Sequence, residues 1–226
     1  MMMELTFSKE ITTVCPELCV AVIEAAVVNS EHNDALWEEI YQEEKRLAEH
    51  YTPESLKSRS GIEATRKAYR ALGKDPSRYR PSNEALVRRF LQGKHLYEIS
   101  TLVDCNNLAS MRWGYSIGGF DLNKIQGTTL ELGVGREGEP YEGIGRGPLN
   151  IEHLPVYRDN TGGIGTPTSD HERTKISLET KRLLFLINGY DGNESDTMAC
   201  GRDLQDLLRR FAHSDGGTLR LFRAQA

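Results

Sequence analysis

The chain has 226 residues, of which 38% are hydrophobic and 27% charged, and it carries a formal net charge of -5 at pH 7. That balance excludes a disordered chain, which lacks the apolar content to fold, and a uniformly basic nucleic-acid binder. The longest apolar run, residues 18–28, is interrupted by Glu24 and is too short to span a bilayer. The first residues, MMMELTFSKE, lack a basic stretch leading into an apolar one, so the expectation is a cytoplasmic protein with no membrane partner.

The length fits one substantial core, and a single domain over residues 1–226 is expected. Cys15, Cys19, Cys105 and Cys200 have no zinc-site spacing. Neither a metal nor another cofactor is expected.

Residues 5–7 and 18–28 read as strands. The second is so continuously apolar that both faces should be covered. Residues 33–51 read as a helix with Leu36, Trp37, Ile40, Tyr41 and Leu47 on one buried stripe and the glutamates turned to water. Pro53 suits the opening of a short helix, and residues 62–72 form another that ends at Gly73 with a left-handed cap. Ser82 is placed to cap a helix over residues 84–92, with Leu86, Val87, Phe90 and Leu91 inward and Gly93 closing it.

Charge is divided along this half of the chain. Residues 24–54 hold nine acids against two bases, whereas residues 57–94 hold eleven bases against three acids. Arg66, Lys67, Arg70, Arg88 and Arg89 are the candidates for a phosphate-binding face. Cations on helix faces also serve solubility alone, and both readings stand.

Residues 99–108 are apolar but contain Asp104, Asn106 and Asn107. Such side chains must find partners, either by capping a helix and holding a loop or by lining a pocket. Residues 111–119 read as a loop and residues 120–125 as a turn into a strand at 128–132. The sequence Gly133-Val134-Gly135-Arg136-Glu137-Gly138 has the dinucleotide-binding spacing, but Glu139-Pro140-Tyr141 follows where a helix must begin. A hairpin turn accounts for it better.

Between strands at 154–157 and 183–187 lies GGIGTPTSDHERT, residues 162–174. Three glycines and a proline shape this segment, and it carries Thr168, Ser169, Asp170, His171, Glu172, Arg173 and Thr174. A polar loop held by rigid strands is a common way to build a site, and a polar surface turn is the alternative. Asp170 and His171 are the candidate proton-transfer groups. As neighbours on an extended segment they should point to opposite sides. Arg173 has the fork to hold a carboxylate or phosphate, although an ordinary salt bridge uses it as well. The chain ends in a helix near 197–212, with Leu204, Leu207, Leu208 and Phe211 inward, and a strand at 218–222.

Val103, Asp104, Asn106, Phe120, Asp121, Lys124 and Ile125, in that order, resemble the B3/B4 region of the phenylalanyl-tRNA synthetase beta chain. There a valine-aspartate-x-asparagine element precedes a phenylalanine-aspartate turn and a lysine-isoleucine pair. The likeness extends through Asn83-Glu84-Ala85-Leu86 and Gly138-Glu139 to cover residues 62–187, and the segment around residue 170 is most similar to free-standing members.

The resemblance implies an α+β fold with a β-sandwich-like central sheet flanked by helices. It implies binding of tRNA or of an aminoacyl-tRNA end, with hydrolysis of a misattached amino acid as the associated activity. It makes Asn106, Asn107, Asp121, Glu142, Thr168, Ser169, Arg173 and Thr174 candidate ligand-binding residues. Two departures bear on catalysis. Gly118 and Gly119 stand where the synthetase has a histidine, and Thr168, Ser169 and Asp170 stand where it has a glutamate after paired glycines. A non-catalytic pocket for an amino acid or related metabolite is therefore a second reading. A third is a module in which the acidic helix at 33–51 meets a partner. DNA is not an expected partner.

Overall fold

The computed structural model describes residues 2–224. β1 (Glu4–Phe7) and α1 (Lys9–Val14) lead to β2 (Cys19–Ala26), followed by four helices: α2 (Asp34–His50), α3 (Ser60–Ala71), α4 (Ser82–Leu91) and α5 (Thr101–Trp113). β3 (Ser116–Asp121) and β4 (Thr129–Val134) come next, then the short β5 (Glu142–Gly143) and β6 (Gly147–Pro148), β7 (Pro155–Arg158) and β8 (Gly163–Gly165). β9 (Arg182–Gly189), α6 (Glu194–Phe211) and β10 (Thr218–Arg223) complete the fold.

The strands form two four-stranded sheets, ordered β1-β4-β7-β8 and β10-β2-β9-β3, and a small β5-β6 hairpin. The alternation of side chains along β2 and β9 decides how the layers stack. Val20 and Val22 of β2, with Leu184 and Leu186 of β9, join Leu5, Leu130, Leu132, Tyr157 and Ile164 of the other sheet in one core. Ala21, Ile23, Leu183, Phe185 and Ile187 face the opposite way, into a core built with α2, α5 and α6. The order of layers is thus sheet, sheet, helices, an α+β architecture with a sandwich at its centre. Cys19 to Ile23 are apolar without a break because both faces of that part of β2 are covered.

Local chemistry sets the helix ends. Asn33 Oδ1 accepts from the N–H of Leu36 at 3.1 Å, and Asn193 Oδ1 from that of Asp196 at 3.1 Å, each satisfying an orphan donor of a first turn. α5 is capped from a distance, since Asn29 Oδ1 accepts from the N–H of Leu102 at 3.0 Å. Gly73 and Gly114 supply the left-handed residues after α3 and α5.

Several expectations are corrected. Residues 111–119 are the end of α5 and most of β3 rather than a loop. Tyr41 is exposed, and Glu43 takes an inward place on α2. Glu39 is held by Arg112 and Arg210, so the acidic face of α2 is partly neutralised within the fold. After Pro53 there is only a 3-10 turn, Leu56–Ser58. Pro81, not Ser82, sits at the cap position of α4, and the Ser82 N–H donates to Pro167 O at 2.8 Å. Phe211 is only partly buried against the helical core. Among the described residues no helix is long and apolar enough to cross a membrane.

Candidate functional site

The segment 162–174 is folded inward. Gly163 to Thr168 are buried, with Gly163–Gly165 forming β8 on β7. Thr166 Oγ1 accepts from the N–H groups of Thr168 (3.2 Å) and Ser169 (3.0 Å), a serine/threonine turn that satisfies the backbone locally. Thr168 is packed into the body of the protein. Its hydroxyl contacts Tyr69 Oη at 2.9 Å and donates to Tyr79 O at 3.2 Å.

This turn borders a cleft of about 170 Å³ whose other walls are Ser82 and Leu86 of α4, Val103, Asn106, Asn107 and Ser110 of α5, and Ile117. Asn106 and Asn107 thus meet Ser169 and Asp170 in one hollow, although about sixty residues separate them in sequence. Asn106 Nδ2 donates to Ile117 O at 3.2 Å, while its Oδ1 is buried without a partner among the described residues.

Asp170 supplies the charge. Its Oδ2 accepts from the N–H of Gly119 at 3.0 Å. Part of the residue reaches the cleft surface, but the carboxyl is enclosed by glycines and an aromatic ring. Loss of solvent pushes it up to about 7, only partly offset by the Gly119 N–H. Gly118, Gly119 and Gly165 keep this corner open. A Cβ at Gly165 would lie 2.5 Å from the Phe120 ring and 2.8 Å from Asp170 Oδ1. One at Gly118 would lie 2.9 Å from Phe120, and one at Gly119 3.0 Å from Phe185 and 3.1 Å from Ile176. No histidine fits at 118 or 119 without rebuilding this packing.

The remaining candidates lie elsewhere. His171 turns away from Asp170, packing edge-on against Tyr141 with centroids 4.9 Å apart. Its Nδ1 accepts from the Arg173 N–H at 3.0 Å. Burial, reinforced by Arg173, lowers its proton affinity, so the ring is neutral at pH 7. Exchanging His171 for Ala should leave ligand affinity in the cleft within about twofold while costing about 1 kcal/mol of stability, because the edge-on packing against Tyr141 disappears. A thermal-shift titration reads both.

Asp121 is a structural staple, accepting from Thr180 Oγ1 at 3.0 Å and from the Asn123 N–H at 3.1 Å. Glu142 is exposed on β5 and does not border the cleft. Arg173 holds Asp159 by two hydrogen bonds of 2.9 Å. Burial alone would raise the Asp159 carboxyl, but Arg173 and the N–H groups of Gln126 and Thr161 bring it below its ordinary value. Thr174 is fully buried, and its hydroxyl has no partner among the described residues. Asp104 ties α5 to α2 by accepting from Trp37 Nε1 at 2.9 Å, and burial pushes it up to about 6.

Of the proposed basic face, Arg66 is buried and bonded to Glu84 at 2.8 Å, and Arg89 lies 3.9 Å over the Tyr97 ring. Lys67 borders a separate hollow between α1 and α3, whereas Arg70 and Arg88 remain on a cation-rich surface. Sequence reading missed Thr166, Ser82 and Ser110 as wall residues. Thr166 did carry a signal, because the Thr-Pro-Thr-Ser run has the spacing of a side-chain-stabilised turn. All four cysteines are free and buried, and burial pushes the Cys15 thiol up to about 11. Among the described residues no group of three or more His, Cys, Asp or Glu is placed to hold a metal ion.

Gly133 to Gly138 form no nucleotide loop. They are the end of β4 and the turn after it. Gly135 is a glycine because Ile151 O lies 1.8 Å from where its Cβ would stand.

Residues 64–210, well over half of the chain, match the B3/4 domain family. No curated protein matches the chain. Among solved structures, the N-terminal fragment of the phenylalanyl-tRNA synthetase beta-subunit from Pyrococcus horikoshii is similar at 12% identity, with a TM-score of 0.47. The alignment covers 97% of this chain and 50% of that fragment, so the chain spans about half its length.

Proposed function

The chain belongs to the B3/4 domain family, and from that premise we propose that it is a tRNA-associated module whose cleft takes the aminoacyl end of a tRNA and cleaves a misattached ester. The observation that carries this reading is the meeting of Asp170 and Asn106 in one hollow beside the basic helices. At about 170 Å³ the cleft admits an amino-acid-sized group and leaves a polynucleotide outside.

In this reading the ionised Asp170 accepts a proton from water as its oxygen attacks the ester carbonyl. The carbon–oxygen bond to the ribose then breaks, and the proton passes to the departing hydroxyl. Asn106 and Asn107 on the opposite wall are the polar side chains that orient the amino-acid part of the substrate in this reading. The base works only when deprotonated, so single-turnover deacylation of mischarged tRNA should rise about tenfold per pH unit up to about 7 and level off above it. A rate independent of pH between 5 and 8 would reject Asp170 as the base.

A second reading follows from Gly118 and Gly119. Their surroundings leave no room for a further proton carrier, an arrangement that suits binding of an amino acid or related metabolite without cleavage. Thermal stabilisation by free amino acids, of roughly 2.7 kcal/mol at a hundred times the dissociation constant, together with no deacylation, would favour it.

A further inference from the structure

The basic excess of residues 57–94 separates on folding into groups with different surroundings. Lys74 turns inward to the carbonyls of Asn150 (3.0 Å) and Glu152 (2.6 Å), Arg59 to those of Met111 and Arg112, and Arg89 to Tyr97. Lys57, Arg66, Arg70, Arg80 and Arg88 instead border two adjoining hollows, of about 240 and 310 Å³, that share Lys57 and Arg66.

The acids on these walls are Glu54, Glu63 and Glu84. Glu84 is buried and committed to the fold, contacting Arg66 at 2.8 Å and Arg80 at 3.3 Å. Among the described residues Lys57 and Arg70 have no ion pair and no side-chain hydrogen bond, and the Arg88 side chain donates only to the Pro53 carbonyl at 2.8 Å. Lys57, Arg70 and Arg88 thus stand without a bonded counterion among the described residues, beside two arginines that share the single carboxylate of Glu84. Like charges so placed repel one another, and an anion in the hollows lowers that cost. Guanidinium forks dominate the lining, which suits phosphate oxygens. Two hollows with shared cations suit two successive phosphates.

Position supports a nucleic-acid source. Ser82 and Leu86 of α4 face the Asp170 cleft, whereas Glu84 and Arg88 face the trough. Residues two apart on a helix lie on nearly opposite sides, so only the thickness of α4 separates the two features. A strand whose end enters the cleft crosses α4 and lays its phosphates in the trough.

We propose that this trough, with Lys57, Arg70 and Arg88 as its unpaired cations and Arg66 and Arg80 held against Glu84 behind them, binds two adjacent phosphates of a single-stranded RNA end. The inference rests on the reading that the cleft takes a tRNA terminus, and it names the surface that holds the rest of that strand.

The test is fluorescence anisotropy of the full chain with labelled single-stranded RNA across a salt series, with inorganic pyrophosphate as competitor. Lys57 and Arg70 are exposed and unpaired among the described residues, so the double variant Lys57→Glu/Arg70→Glu should fold normally, as thermal unfolding will check. It is expected to bind RNA at least tenfold more weakly, with a salt slope shallower by roughly 1.4, about 0.7 for each phosphate that is no longer neutralised. Lys67→Glu, off the trough, should change neither quantity. Failure of wild type to bind RNA at low salt, or an unchanged slope in the double variant, would overturn the proposal. Pyrophosphate binding as tightly as RNA would replace the nucleic acid with a free polyphosphate. Normal RNA binding by Asp170→Asn, together with no deacylation by wild type, would leave the trough standing and remove only the hydrolytic reading of the cleft.

Discussion

Exchanging Asp170 for Asn is expected to stabilise the folded protein at pH 8 and, under the hydrolytic reading proposed for the cleft, to abolish deacylation. In the folded state burial pushes this carboxyl up to about 7, whereas in an unfolded chain it titrates near its ordinary value of about 3.9. Below about pH 4 both states hold the proton and there is no penalty. Between about 4 and 7 the unfolded chain releases a proton that the folded protein keeps, so stability falls as pH rises. Above about 7 the deficit is constant, at roughly 4 kcal/mol as an upper bound from 1.36 kcal/mol per pH unit. Asparagine has no proton to lose and can still accept from the Gly119 N–H. Thermal unfolding of both proteins from pH 4 to 8 should therefore show equal stability at the acid end and a growing advantage for the variant. Parallel curves would mean that the carboxyl is not held in a desolvated corner. A charge kept at such a cost to folding points to a role outside folding.

The second large effect is expected from Gly135→Ala. The added Cβ would meet the Ile151 carbonyl oxygen at 1.8 Å. That oxygen belongs to backbone held in place by hydrogen bonds from the Gly135 N–H to Leu154 O (2.8 Å) and from the His153 N–H to Gly135 O (2.9 Å). Neither side can swing away as a side chain would, so the strand end and the turn must separate. The cost should be about 3 kcal/mol or more, a fall in melting temperature of roughly 10 °C for a chain of this size. Gly138→Ala is the comparison, since its φ of 67° is unfavourable but nothing lies within 4 Å of its Cβ position. It should cost only about 1 kcal/mol. Gly135 itself has no positive φ, so equal losses for the two would show that the Ile151 backbone yields to the added methyl group and that steric overlap does not govern this position.

The parts of this architecture that could be read from sequence are those whose signal is local. The apolar run of β2, interrupted only by Glu24, and the stripe of Leu36, Trp37, Ile40 and Leu47 on α2 fall where their patterns place them. Asn106 and Asp170 stood out as polar groups in apolar or glycine-rich company, and the fold brings both to one cleft. β3 was hidden because Gly118 and Gly119 lower strand propensity. They are needed there because Phe120, Phe185 and Ile176 occupy the space of their side chains. Asp121 and Arg173 had the chemistry of ligand-binding groups, but their partners Thr180 and Asp159 are fixed by tertiary contacts that no local pattern reveals. The basic stretch likewise read as one face, while the helices distribute its members among a buried ion pair, an aromatic stack and the trough.

The register of β2 also bears on how the chain acquires its structure during synthesis. Cys19 pairs with Gly189 and Glu24 with Thr218, so neither neighbour of this strand exists until most of the polypeptide has been made. A nascent chain must carry an unpaired, almost wholly apolar segment until Arg182–Gly189 has been made. Folding dominated by such distant pairings is slow and prone to aggregation, so β2 is a segment whose exposure before its partners arrive carries that hazard.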